Sequence, residues 1–178
     1  GLSFEHYRQI TQTAERGKFD MIFFADGVAV RGRGEGLSRT APVHFEPLTL
    51  LSALSVVTEN IGLAATVSTT YNEPYHLARK FASLDYLSNG RAGWNLVTSA
   101  TNSEAQNFHK DKHMEHTLRY QRAREFVDVV KALWDSWEDD AFIRDKESGI
   151  YFHPDKLHVP NHKGEHFSVR GPLNVARP

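Results

Sequence analysis

At 178 residues the chain can bury a substantial core, and 40% hydrophobic with 24% charged residues excludes disordered and collagen-like classes. Lys and Arg (21) nearly balance Asp and Glu (22) and form no basic run, so nothing points to nucleic acid. No apolar run approaches the roughly 20 residues of a membrane span, and the absence of cysteine removes disulfides, thiolate metal sites and cysteine nucleophiles while fitting a reducing, cytoplasmic compartment.

Ser3 can cap a first helix whose apolar positions Phe4, Tyr7, Ile10 and Ala14 follow helical spacing, with Gly17 as its stop. Phe19 to Asp26 then reads as a strand, apolar on both faces through its middle and ending in Asp26. Gly27 to Phe45 carries Gly32, Gly34 and Gly36 among arginines and reads as a long mobile loop, a candidate lid. No helix opens on those glycines, which makes a dinucleotide fingerprint a poor match. Glu46-Pro47 starts a second helix through Leu50, Leu51, Leu54 and Val57, and Gly62 leads into the strand Leu63 to Ser68. Pro74 opens a third helix with Leu77, Phe81, Leu84 and Leu87 as its apolar stripe, and Gly90 is placed to turn left-handed at its end. Arg91 to Ser99 reads as a third strand, with Trp94, Leu96 and Val97 suited to a covered surface. A polar loop with His109, His113 and His116 precedes a helix from about Thr117 to Trp137, whose Leu118, Phe126, Val129, Val130, Leu133 and Trp134 face inward. Residues 138–178, rich in Pro and Gly, read as a partly extended insertion with room for a hairpin.

Three strands alternating with helices specify parallel crossovers and an α/β architecture. Three strands rarely make a stable parallel sheet, and a (β/α)₈ barrel takes around 250 residues. Pattern alone does not separate a barrel from an open sheet, and the chain, one domain over 1–178, reads as incomplete, beginning on a helix with no strand before it.

Ligands of parallel α/β proteins bind at the carboxyl ends of strands. Those ends carry Asp26, then Thr66, Ser68, Thr69 and Thr70, then Asn95, Thr98 and Ser99. Asp26 suits a loop anchor as well as a ligand contact, and backbone bonds alone can satisfy Thr66 and Ser68. Asn95 is harder to dismiss, because an inward-pointing amide needs partners for its donors and its acceptor. His116 and Tyr120, four apart at a helix start, share a face, either as a surface pair or as a convergent contact. The histidines lie in polar segments without the converging geometry zinc requires, so no metal is expected. Glu138, Asp139 and Asp140 read as solvated, and no Gly-x-Ser-x-Gly turn supports a serine hydrolase.

Ala14-Glu-Arg-Gly-Lys-Phe-Asp20 with Phe24-Ala-Asp26, Glu46-Pro-Leu-Thr49, Gly62-Leu-Ala-Ala-Thr-Val-Ser-Thr69, Glu73-Pro-Tyr-His-Leu-Ala-Arg79, Leu84-Asp-Tyr-Leu-Ser-Asn-Gly-Arg91, Trp94-Asn-Leu-Val-Thr-Ser99, His116 with Tyr120, Leu133-Trp-Asp-Ser-Trp137 and Gly171-Pro-Leu-Asn174 span nearly the whole chain. In these stretches the sequence resembles the luciferase-like flavin monooxygenases, within them the nitrilotriacetate, dibenzothiophene-sulfone and long-chain-alkane group. The resemblance implies a TIM barrel of which this chain covers about strands two to four. It implies reduced FMN across the strand ends, delivered by a separate NAD(P)H-dependent flavin reductase, and O2 used through a flavin hydroperoxide to oxygenate a small organic substrate. It places Asp26, Thr66, Ser68, Asn95, Thr98, His116 and Tyr120 at the flavin, with His116 as the catalytic residue, and favours a homodimer or homotetramer. A deazaflavin-dependent oxidoreductase of the same superfamily, a catalytically incomplete barrel fragment and a metal hydrolase on the same barrel stand as alternatives.

Overall fold

The computed structural model describes residues 1–30, 37, 39 and 42–178. Strands β1 (Met21–Phe24), β2 (Gly62–Ser68) and β3 (Ala92–Val97) lie side by side in that order, all parallel. Helix α1 (Phe4–Arg16) precedes β1, α2 (Pro47–Ser55) joins β1 to β2, and α3 (Pro74–Ser88) joins β2 to β3. A short α4 (Asn102–Gln106) and the long α5 (His116–Trp134) follow, then the two-residue strands β4 (His162–Lys163) and β5 (Ser168–Val169) of an antiparallel hairpin. Among the described residues no helix is long and apolar enough to cross a membrane.

Local chemistry explains the helix starts. The Ser3 hydroxyl accepts the His6 N–H, the Glu46 carboxylate accepts those of Leu48 and Thr49, and prolines open α2 and α3 where no N–H is needed. At the end of α3 the left-handed turn falls on Asn89 (φ 56°) as well as on Gly90 (φ 80°).

Side chains of the three strands alternate between two environments. Ile22, Phe24, Leu63, Ala65, Val67 and Trp94 face the helices and pack with Leu51, Leu54, Leu77, Phe81, Phe126, Val130 and Leu133. The other face carries Met21 and Phe23 on β1, Ala64, Thr66 and Ser68 on β2, and Gly93, Asn95 and Val97 on β3, aligned by the pairings Phe23↔Ala64, Ala64↔Gly93, Thr66↔Asn95 and Ser68↔Val97. This inner face is apolar where the strands begin and polar where they end.

Several expectations need correction. On α3 the buried stripe runs Leu77, Phe81, Leu84, Ser88, which is the 3.6-residue period, so Leu87 points out at 55% exposure. On α1 the covered line is Tyr7, Thr11 and Ala14, with the Thr11 hydroxyl satisfied by the Tyr7 carbonyl at 2.8 Å, leaving Phe4 and Ile10 exposed. Helix α2 stops at Ser55, before Val57, and α5 runs from His116 to Trp134, because Trp137 has left the helix to donate its indole N–H to the Leu173 carbonyl at 2.7 Å. Leu96 and Leu118 are exposed. The sequence reading also missed α4.

The entry ends of the strands are tied by two charged groups. Arg91 spends its guanidinium on the carbonyls of Ser55, Thr58, Ile61 and Ser88 and on the Thr58 hydroxyl, at 2.6–3.1 Å. Glu15 accepts the N–H groups of Glu59, Asn60 and Ile61 at 2.6–3.0 Å. Burial pushes the Glu15 carboxyl up, yet the three backbone donors and Arg91 hold it below its ordinary value. A carboxyl depressed in the folded state contributes stability above its unfolded pKa and loses it as pH falls through the folded one. Thermal stability of wild type should therefore fall as pH drops below the ordinary glutamate value of 4.5, and Glu15→Gln should lower the neutral-pH midpoint while flattening that acid limb.

Candidate active site at the strand exits

The exits of β2 and β3 are stitched together by hydroxyl groups. Ser68 Oγ accepts the N–H of Thr70 at 3.2 Å, the N–H of Ser99 at 3.1 Å and the Ser99 hydroxyl at 2.8 Å, and Ser99 N–H is shared with Thr70 Oγ1 at 3.2 Å. One residue-pair deeper, the Asn95 amide donates to Thr66 Oγ1 at 3.0 Å. The remaining Asn95 donor and its carbonyl oxygen have no partner among the described residues, so this edge is free to meet a ligand. Beneath it the floor is small. A Cβ on Gly93 would stand 3.3 Å from the Ala64 Cβ, and Phe23 offers an apolar surface 49% exposed.

A cavity of about 210 Å³ opens at these exits, lined by Asp26, Val28, Thr66, Ser68, Thr98, Ser99 and Glu104 among others. Asp26 is held at its rim by His44, whose Nε2 stands 2.9 Å from the carboxylate. Glu104 closes the cavity from α4 through a capping box: it accepts the N–H groups of Ala100 and Thr101 and the Thr101 hydroxyl, while Thr101 Oγ1 accepts the Glu104 N–H. Burial alone pushes the Glu104 carboxyl up, but these donors hold it below its ordinary value. A buried anion thus underlies the cavity.

His116 and Tyr120 do share a face, with ring centroids 4.7 Å apart. They line a separate, wider hollow of about 730 Å³ between α5 and the exposed Leu96 of β3. The structure therefore brings Asp26, Thr66, Ser68 and Thr98 into one cavity with Asn95 bonded to its wall, and places His116 and Tyr120 beside it. The loop residues 31–36, 38, 40 and 41, with Gly32, Gly34 and Gly36, lie outside the described residues.

The sequence reading missed two arginines. Counting back along α5 from Leu133, Val130, Phe126 and Ala123, the inward line continues to Arg122 and Arg119. Arg122 donates to the carbonyls of Thr69 and Asn72 and lies 4.5 Å over the Phe167 ring, and its burial pushes its pKa down. Arg119 donates to the Ser99 carbonyl at 2.7 Å. Their signal was visible as two cations spaced three apart on the apolar face of a helix.

Matches to known proteins agree with this geometry. The luciferase-like monooxygenase family matches residues 1–178. The chain belongs to that family. Among curated relatives it is 60% identical over 176 residues to the N-acetyl-S-(2-succino)cysteine monooxygenase of Bacillus subtilis, covering 99% of this chain and 39% of that protein. It is 54% identical to nitrilotriacetate monooxygenase component A of Aminobacter aminovorans, covering 98% of this chain and 40% of the relative. The solved long-chain alkane monooxygenase superposes with a TM-score of 0.91 at 41% identity, over 98% of this chain and 42% of its own. A riboflavin lyase solved with modified FMN and riboflavin gives a TM-score of 0.91 at 35% identity, over 98% and 40%. This luciferase-like chain thus spans about two fifths of the length of such relatives, and its sheet is an arc of their barrel.

Ser68 is the hub of the exits. Ser68→Ala leaves the buried Thr70 N–H without an acceptor, and should cost roughly 2 kcal/mol of stability in denaturant unfolding.

Proposed function

We propose that the chain forms the flavin-facing arc of an oxygenase that uses reduced FMN and O2 to oxygenate a small organic substrate. The observation that carries this reading is the free edge of the Asn95 amide, bonded to Thr66 above the Ala64–Gly93 floor and the open Phe23 surface. The residues fit the group: a flat apolar ring with an N–H and C=O edge needs an apolar shelf ending in a side-chain donor and acceptor, and this face has that order. Reduced FMN, when bound, supplies two electrons, so that one atom of O2 enters the substrate and the other leaves as water.

The chain's own residues then divide the work. Asn95 and Thr66 orient the ring edge. Ser68, Thr98 and the Asp26–His44 pair form the cavity wall, and the apolar shelf excludes water. His116 and Tyr120, in the adjoining hollow, hold the remoter part of the cofactor, and His116 holds or moves a proton at its imidazole nitrogens.

Relatives named for nitrilotriacetate, dibenzothiophene sulfone and long-chain alkane oxidation support a small organic substrate. One relative is called component A, and two more are subunits A and B of pristinamycin IIA synthase, which supports a system of several parts with a separate NAD(P)H-dependent flavin reductase.

Anaerobic titration of the natural-length polypeptide with FMNH2 tests the reading. Binding should be saturable, and Asn95→Ala should weaken it about tenfold, on the order of 1.4 kcal/mol, without shifting the unfolding midpoint comparably. A wild-type protein that binds no FMNH2, or an Asn95→Ala variant that binds it equally, would count against the assignment.

A further inference from the structure

We infer that Arg119 is the positioning residue for the strand-exit wall of the flavin seat, and that it is held in place by His113 only while that imidazole is neutral; this rests on the flavin reading above.

Arg119 stands where the apolar line of α5 meets the polar exits. Its Nη1 donates both to the Ser99 carbonyl and to His113 Nε2. Its Nε is buried with no partner among the described residues, so those two bonds, with the Tyr120 ring 5.8 Å away, fix the guanidinium. Ser99 in turn donates to Ser68 Oγ and Thr70 Oγ1. Arg119 therefore sets the position of the Ser68 and Ser99 hydroxyls that line the cavity, and it does so from the helix that carries His116 and Tyr120.

The tautomer of His113 follows from its partners. A guanidinium only donates, so Nε2 must accept, and the single ring proton sits on Nδ1, which donates to the Tyr71 oxygen at 2.7 Å. Tyr71 is itself held by parallel stacking on Phe108, with centroids 4.5 Å apart and planes 4° apart. The His113 backbone N–H is pinned to Asn102 on α4 at 2.8 Å. The ring thus has a fixed place and an acceptor aimed at Arg119. A proton added at Nε2 removes that acceptor and sets a second cation against the guanidinium. Among the described residues, the charged and titratable groups facing the ring from neighbouring elements are Arg119 on α5 and Tyr71 after β2, with Glu104 on α4 acting on Tyr71. The one carboxylate among them is engaged by its own capping box, which leaves protonation of His113 free to unseat Arg119.

The test is FMNH2 binding by the natural-length polypeptide at pH about 8 and about 5.5, for wild type and His113→Gln. Glutamine keeps an acceptor oxygen but does not titrate. The ligand and every other side chain are common to both proteins, so the difference between the two profiles belongs to His113. The dissociation constant of wild type should rise at least fivefold more on acidification than that of His113→Gln. Equal acid limbs in the two proteins overturn the inference while leaving the flavin reading intact. A wild type that binds no FMNH2 at either pH overturns the flavin reading and this inference with it. Should His113→Gln fail to fold, the ¹⁵N chemical shifts of the wild-type His113 ring decide: the Nδ1–H tautomer at pH about 8 supports the device, and the Nε2–H tautomer overturns it.

Discussion

The seating of Trp94 governs the rest of the structure. Its ring packs between Phe81 of α3 and Phe126 of α5, and its indole N–H is satisfied by the Val67 carbonyl at 3.0 Å. A side chain this large, with its one polar atom paired, fixes which face of β3 meets the helices. The period of two then sends Gly93 and Asn95 to the opposite face, in register with Ala64 and Thr66. A one-residue slip would bury the Asn95 amide among leucines and turn the indole out. The core and the candidate site are consequences of one alternation.

The two ends of the sheet use similar groups for different ends. Where the strands begin, Arg91 and Glu15 are engaged by loop carbonyls and N–H groups. Where they finish, Arg119 and Arg122 hold the exit loops by a few carbonyls, and the hydroxyls and the amide between them keep spare capacity. In a parallel barrel this asymmetry is expected: the entry end is built for stability and the exit end for chemistry. The relatives that match this arc are named for different substrates.

Much of this was legible in the residue pattern. The helix starts at Pro47 and Pro74, the Leu77–Phe81–Leu84 stripe and the apolar strands ending in polar residues all depend on spacings of a few positions. The misread positions were those decided by distant partners. Leu87 looked like a stripe residue because it lies three from Leu84, but the packed position is Ser88, set by where β3 begins. Arg119 and Arg122 went unread because their acceptors, Ser99 and Thr69, lie 20 and 53 residues away. The Asp26–His44 pair joins positions 18 apart in the sequence and has no periodic signature. Glu104 was within reach of local reasoning, since Thr101-Asn-Ser-Glu104 has the spacing of a capping box. His116 and Tyr120 were paired correctly by their four-residue spacing, but spacing did not reveal that their hollow is separate from the cavity at the exits.

The central claim is that the inner face at the β2 and β3 exits seats a flavin ring. A crystal structure of the natural-length polypeptide soaked with FMN addresses it most directly. The account predicts the ring lying over Ala64 and Gly93 with its N–H and C=O edge within about 3 Å of the Asn95 amide. FMN bound elsewhere, with the Asn95 edge facing solvent or another side chain, would contradict it.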